Sequence, residues 1–100
     1  MDTYWLTFRI HDDAGYEKRR DALYDAISAL TDKWWVESTS FVVFRSASNS
    51  GAICGKIKAA INVRTDLAVL GKTDFKSMSV MGKVDHFNTL EALVPFAQRV

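Results

Sequence analysis

Alternation of apolar and polar residues near the amino terminus predicts the first strand of the fold. Side chains of a strand point alternately to its two faces, so the segment from Thr3 to His11 has one clear core face. The residues on that face are Tyr4, Leu6, Phe8 and Ile10. Trp5 lies on the opposite face and is too large and too apolar to leave in water, which indicates that this second face is covered as well.

A second strand-forming stretch runs from Trp34 to Arg45 and is aromatic or β-branched for most of its length. The polar residues 37–40 interrupt it, so the stretch is either a hairpin or one long strand. The run from Phe41 to Phe44 shows no alternation, and a strand that is apolar on both sides needs cover on both faces. A chain of 100 residues can hardly supply two covers alone, so this pattern predicts a second subunit.

Helical spacing of apolar residues predicts two amphipathic helices. The first begins near Tyr16, after a turn in which Asp12 or Asp13 is expected to cap it. The second follows the polar loop 46–51, and its two glycines mean that packing rather than propensity must hold it. The apolar positions are Tyr16, Leu23, Ile27 and Leu30 in the first helix, and Ile53, Ile57 and Ile61 in the second.

The last third of the chain predicts two further strands and a short helix. The strands are expected at 66–72 and at 77–84, joined through residues 73–75. Asn88 with Glu91 three residues later resembles a capping box, which starts a final helix. A proline at position 95 makes this helix short or kinked, or restarts it.

The order strand, helix, strand, strand, helix, strand predicts an α+β fold. It is typical of a ferredoxin-like βαββαβ sandwich, in which both helices cover one face of an antiparallel sheet. An extra C-terminal strand and short helix follow that unit. We expect one domain over residues 1–100, with residues 74–100 as an appendage able to reach a partner subunit.

The opposite face of this sheet is expected to be open and to form a dimer interface. A closed two-fold contact buries the same patch twice and would shelter the large apolar side chains of that face. The interface residues expected on this basis are Trp5, Arg9, Phe41 and Val43.

Composition places the chain among ordinary globular proteins. Charged residues make up 25% and apolar residues 48%, and the net charge of +1 gives no argument for binding of nucleic acid. The single cysteine, Cys54, excludes an internal disulfide and fits a reducing compartment. No segment reaches the length of a membrane span and no signal segment is evident, so we expect a cytoplasmic protein with no membrane partner.

Candidate chemistry is sparse. His11 and His86 lack partners at a recognisable spacing and are expected to be surface or interface histidines, and no zinc site is predicted. Cys54 is expected to be a small core residue. A basic cluster near the start of the first helix is flanked by acids, which favours a solvated face but leaves contact with nucleic acid open. The residues of this cluster are Lys18, Arg19 and Arg20.

Three short motifs follow one another along the chain. They are Phe8–His11 before Gly15–Tyr16, then Trp34–Trp35 followed by Glu37–Thr39, then Asp66–Val69. In these motifs the chain resembles the SinR-like proteins, which are related to the VapD-type ribonucleases and to the small CRISPR-associated adaptation nucleases. The resemblance covers roughly residues 3–84 and implies a ferredoxin-like homodimer whose last strand often joins the partner's sheet.

The resemblance also implies where a metal site would lie. In that family the first strand ends in an aromatic residue followed by Asp, and two such aspartates meet across the dimer as the proposed metal site. Here Phe8 is followed by Arg9. A guanidinium cannot ligate Mg²⁺, which requires oxygen ligands, so inherited metal-dependent cleavage is not expected. Arg9 would instead hold a phosphate or pair with an acid of the partner.

The sequence therefore predicts a cytoplasmic homodimer with a role connected to RNA or DNA, a degenerate metal site and no cofactor. One alternative is an active nuclease that uses Asp12 and Asp13 with Mg²⁺, which leaves enzymatic activity open. Another is a dimeric ferredoxin-like protein that binds a small apolar ligand between sheet and helices. The cavity of that alternative would be lined by Tyr4, Phe8, Phe41 or Phe44.

Overall fold

The protein has an α+β fold, seen in a computed structural model that describes residues 1–73 and 78–100. Its first six elements follow the predicted order of strands and helices, and three short elements come after them. The elements are β1 (Asp2–Arg9), α1 (Tyr16–Leu30), β2 (Lys33–Trp35), β3 (Phe41–Ser46), α2 (Ser50–Ala60), β4 (Leu67–Lys72), β5 (Met78–Val80), α3 (Phe87–Leu93) and β6 (Ala97–Arg99).

Four strands form the main sheet in the order β2-β3-β1-β4, and each pair of neighbours is antiparallel. The polar residues 37–40 connect β2 to β3, so the hairpin interpretation of the Trp34–Arg45 stretch is confirmed. Trp5 of the central strand β1 lies opposite Val43 on one side and Gly71 on the other. This register puts Trp5 in the middle of the sheet.

Helices α1 and α2 cover one face of the sheet with an apolar core. Tyr4 and Phe44 are fully buried and stack with their ring centroids 5.7 Å apart. The Tyr4 hydroxyl donates a hydrogen bond to the Ser48 carbonyl at 3.1 Å, so its polar end is satisfied. The core residues are Tyr4, Leu6, Phe8, Ile10, Leu23, Ile27, Val42, Phe44, Ile53 and Ile57.

The chain's own C-terminal segment covers part of the other face. Val43 is fully buried there although Val42 and Phe44 beside it point to the opposite core. The expectation that this face is open is therefore wrong for the part over β2 and β3. The buried residues of this second core are Trp35, Val43, Leu90, Leu93, Val94 and Ala97.

Glu37 fastens the C-terminal segment to the β2–β3 hairpin. Its carboxylate accepts hydrogen bonds from the backbone N–H groups of Asp85 and His86, the latter at 2.8 Å, and from Trp35 Nε1 at 3.1 Å. These three bonds hold the pKa of Glu37 below its usual range, and the bond from Asp85 has the largest effect. One carboxylate thus links the segment before α3 to the polar loop that connects the two strands of the hairpin.

The C-terminal segment differs in detail from the predicted elements. The expected strand 77–84 is confined to β5, which pairs in parallel with β6, and β6 was not predicted. The capping box is wrong, because α3 begins at Phe87 and no side chain caps it. The helix ends at Leu93, as expected of a helix cut short by Pro95. Part of the predicted join at 73–75, and Ser77, fall within 74–77, outside the described residues.

None of the helices among the described residues is long and apolar enough to cross a membrane.

Gly71→Ala is expected to lower the free energy of unfolding. A Cβ at position 71 would overlap the indole of Trp5, which lies opposite it in the sheet, and overpacking of this kind costs about 2 kcal/mol. Gly55→Ala is the matched control, since a Cβ at position 55 meets no described atom within 4 Å. This substitution also replaces a glycine inside a helix with a better helix former. Urea denaturation should show stabilisation by about 0.5–1 kcal/mol for the control. Equal behaviour of the two variants would contradict the packing of Trp5 on β4.

Candidate nucleic-acid interface

One end of the main sheet collects most of the candidate site residues. The C-terminal end of β1, the start of α1 and the loop between α2 and β4 meet there. The backbone N–H of His11 donates to Asp66 Oδ1 at 2.8 Å, which joins the chain after β1 to the residue before β4. This end of the sheet is therefore fixed by polar contacts as well as by the apolar core.

The centre of this end is an ion pair between Arg19 and Asp66. Arg19 Nε lies 2.9 Å from Asp66 Oδ2, and the Asp66 side chain has no exposed surface. Asp66 also accepts bonds from the N–H groups of His11 and Asn62, each at 2.8 Å. Burial opposes ionisation of Asp66, but the bonds from Arg19, His11 and Asn62 outweigh it and lower its pKa to about 2.

Asp13 shares the same arginine. Its two carboxylate oxygens accept bonds from Arg19 Nη1 at 3.0 Å and Nη2 at 3.1 Å, and Oδ1 also accepts the N–H of Gly15 at 2.8 Å. The bond from Arg19, followed by that from Gly15, lowers the pKa of Asp13. The expectation that an aspartate caps α1 is wrong, because the cap position is Gly15 and no side chain bonds the first turn. Asp13 braces the turn before the helix.

The candidate catalytic pair does not share one partner. Asp12 is exposed, whereas both oxygens of Asp13 face Arg19. Across residues 1–73 and 78–100, no group of three or more His, Cys, Asp or Glu side chains comes together to hold a metal ion. Arg9 at the end of β1 adds a guanidinium, which cannot ligate Mg²⁺. Catalysis by Asp12 or Asp13 stays a prediction.

The basic cluster at the start of α1 is divided by the fold. Lys18 is exposed, and the Arg20 side chain is half exposed, with its guanidinium 5.3 Å from the centre of the Tyr24 ring. Arg19 is the exception, since Asp13 and Asp66 engage its guanidinium and raise its pKa. Arg19 therefore has a structural role. Lys18 and Arg20 are the members of the cluster whose charged groups are accessible to a phosphate.

Arg9 lies on the face of the sheet opposite α1 and α2. It is exposed, and it pairs in register with Leu67 of the outer strand β4. Leu67 and Val69 are 49% and 43% exposed, so an uncovered apolar strip runs beside Arg9. An arginine next to an apolar strip is a combination that suits an interface.

The four expected interface residues differ in exposure. Val43 is fully buried by the chain's own second core, and Trp5 and Phe41 pack against that core while remaining half-buried. Arg9 is the exposed member of the four. Arg9 is therefore the most accessible of the four to a partner subunit. The dimer itself stays a prediction.

Two structural carboxylates, Asp66 and Glu37, were missed by sequence reasoning. Both side chains accept backbone N–H groups from segments far away in the chain, and neither belongs to a local motif that would have marked it. Cys54 was expected in the core but is exposed, because it faces away from the buried side of α2 formed by Ile53 and Ile57. His11 and His86 are exposed, as expected.

No protein-family model matches the chain, and no curated protein matches it.

Asp66→Asn is expected to lower the free energy of unfolding by about 3 kcal/mol, because the change leaves a largely buried arginine without one of its two counter-ions. Asp32→Asn is the matched control. It breaks the exposed pair of Asp32 with Arg45, and should cost less than about 1 kcal/mol. Chemical denaturation at neutral pH measures both values.

The same ion pair predicts a pH dependence. The pKa of Asp66 is lowered on folding from 3.8 to about 2, so its stabilisation is complete above pH 3.8 and is lost as the pH falls through about 2. The difference in stability between the wild type and Asp66→Asn should therefore shrink over that interval. A difference that stays constant down to pH 2 would contradict the assignment.

Proposed function

We propose that the protein is a cytoplasmic ferredoxin-like homodimer that binds nucleic acid without metal-dependent cleavage. The observation that carries the proposal is Arg9, an exposed guanidinium at the end of the central strand, where the SinR-like pattern has a carboxylate. Arginine contributes a permanent charge and a fork of donors that matches a phosphate, and it cannot ligate Mg²⁺.

The ferredoxin-like assignment is supported by the arrangement of the first six elements. Strand β1 lies in the interior of an antiparallel sheet between β3 and β4, and the two crossover helices pack on the same face. This is the arrangement expected for a split βαβ unit.

Binding rather than cleavage is supported by the state of Asp13. Its oxygens are taken by Arg19 and by the N–H of Gly15, so recruiting it as a metal ligand or base would cost those bonds. The exposed cations of this end of the molecule are Arg9, Lys18 and Arg20, and they stand beside the exposed acids Asp12, Glu17 and Asp21. We assign contact with a phosphate to the three cations.

The homodimer is supported by the uncovered strip on β4. Leu67 and Val69 are exposed beside Arg9, and a second copy packed on this strip would bury apolar side chains from both chains. In such a dimer the two copies of Arg9 would lie near the two-fold axis, where their charges favour an anion shared between chains.

The small-ligand alternative has less support. Tyr4 and Phe44 stack on each other with no exposed surface, Phe8 is also buried, and Phe41 belongs to the opposite core. Side chains packed in this way occupy the space among these aromatic residues, where that alternative placed its cavity.

The experiment is an incubation of the purified protein with labelled single- and double-stranded RNA and DNA, with and without Mg²⁺ or Mn²⁺. We expect retardation without cleavage. Arg9→Ala should weaken retardation of all sequences and reduce the slope of log affinity against log salt by about 1. Arg45→Ala is the matched control, because Arg45 occupies the far end of the same sheet and already pairs with Asp32 at 2.9 Å.

Three outcomes would contradict the proposal. Metal-dependent cleavage that is lost in Asp12→Ala or Asp13→Ala would show an active nuclease. Equal weakening by Arg9→Ala and Arg45→Ala would mean that only net charge matters. If no substrate is retarded and none is cleaved, the proposed role in binding nucleic acid is wrong.

A further inference from the structure

A groove of about 330 Å³ runs between α2 and β4, on the helix side of the sheet. Its walls are aliphatic side chains from both elements, including Ile57, Ile61, Ala68 and Leu70, and the fully buried Leu6 lies at its base. The volume falls within the range of roughly 300–1,000 Å³ that is typical of small-molecule sites.

Two charged residues line the groove, and they differ in what they can offer. Asp66 is saturated, because its side chain is fully buried and accepts bonds from Arg19, His11 and Asn62. Lys58 is exposed on α2, and no carboxylate of the described residues lies within 4.0 Å of its ammonium group. The uncompensated charge at the groove is therefore positive, which selects an anionic head group.

The side chains that line the groove also determine whether its ligand is aromatic or aliphatic. The residues that line the groove include no aromatic ring among those the structure describes, so there is no platform on which a base or an aromatic ring could stack. Branched aliphatic walls suit a flexible hydrocarbon chain, whose burial is favourable in proportion to the apolar area removed from water. Val63 and Leu67 at the rim are 62% and 49% exposed, so a bound chain would shelter them.

We propose that the groove between α2 and β4 binds a medium-chain aliphatic carboxylate. The hydrocarbon chain lies between Ile57 and Leu70, and the carboxylate pairs with Lys58 at the mouth of the groove. The walls formed by Ile57, Ala68 and Leu70 are on the opposite side of the sheet from Arg9, whereas Leu67 at the rim lies beside Arg9.

Cys54 supplies a reporter for this site. It lines the groove one helical turn before Lys58, it is exposed, and it is the one cysteine of the 100-residue chain. The rate of its alkylation by N-ethylmaleimide therefore measures whether the groove is occupied. Decanoate should slow this reaction saturably in the 100-residue protein without nucleic acid.

Matched ligands and variants separate the chain from the head group. Lys58→Gln should weaken protection by decanoate about threefold, the loss expected for one exposed ion pair, and leave protection by neutral decanol unchanged. Lys56→Gln is the control, because Lys56 is on the same helix but lines the furrow between α1 and α2. Both positions are exposed, so folding should be unaffected.

The proposal is overturned if decanoate gives no protection, or if decanoate, decanol and decyltrimethylammonium protect equally in wild type and Lys58→Gln. It is also overturned if Cys54 is protected from alkylation in the absence of ligand and this protection increases with protein concentration. That result would show that a second copy of the chain occupies the groove.

Discussion

The fold depends on a strand that is apolar on both faces. Val42 and Phe44 of β3 belong to the core beneath α1 and α2, whereas Val43 between them belongs to the core beneath α3. Because successive side chains of a strand point to opposite faces, a continuous apolar run can be buried only between two layers. The helices supply one layer, and the C-terminal segment supplies the other over β2 and β3. The remaining outer face, beside β4, is where the apolar side chains stay exposed.

Polar anchors hold the two layers in register. Asp66 and Arg19 join the loop before β4 to α1, and Glu37 joins the hairpin to the chain before α3. In each case a carboxylate accepts an N–H group from a segment that is distant in sequence, and the bonds that it accepts favour its charged form. These anchors also decide the candidate chemistry, since they take Asp13 and Arg19 out of the set of free groups.

Sequence reasoning recovered the elements whose pattern is local. The alternation of β1, the helical spacing of α1 and the polar break between β2 and β3 all correspond to elements of the fold. It failed where the determining contact is remote. Strand β6 has three residues and exists through its pairing with β5, and the role of Asp66 depends on two residues far away in the chain, His11 and Arg19. The assumption that 100 residues cannot cover both faces is wrong over β2 and β3, where α3, β5 and β6 form a second core, whereas Leu67 and Val69 of β4 stay exposed.

The second core, over β2 and β3, is formed within one chain. Isotope-filtered NOE spectra of an equimolar mixture of labelled and unlabelled protein test this directly. They distinguish contacts within a chain from contacts between chains. The account predicts NOEs between Trp35 and the leucine methyl groups of α3 within a chain, and none between chains. NOEs between the Trp35 indole of one chain and Leu90 or Leu93 of another would show that the C-terminal segment is exchanged between subunits, and would contradict the account.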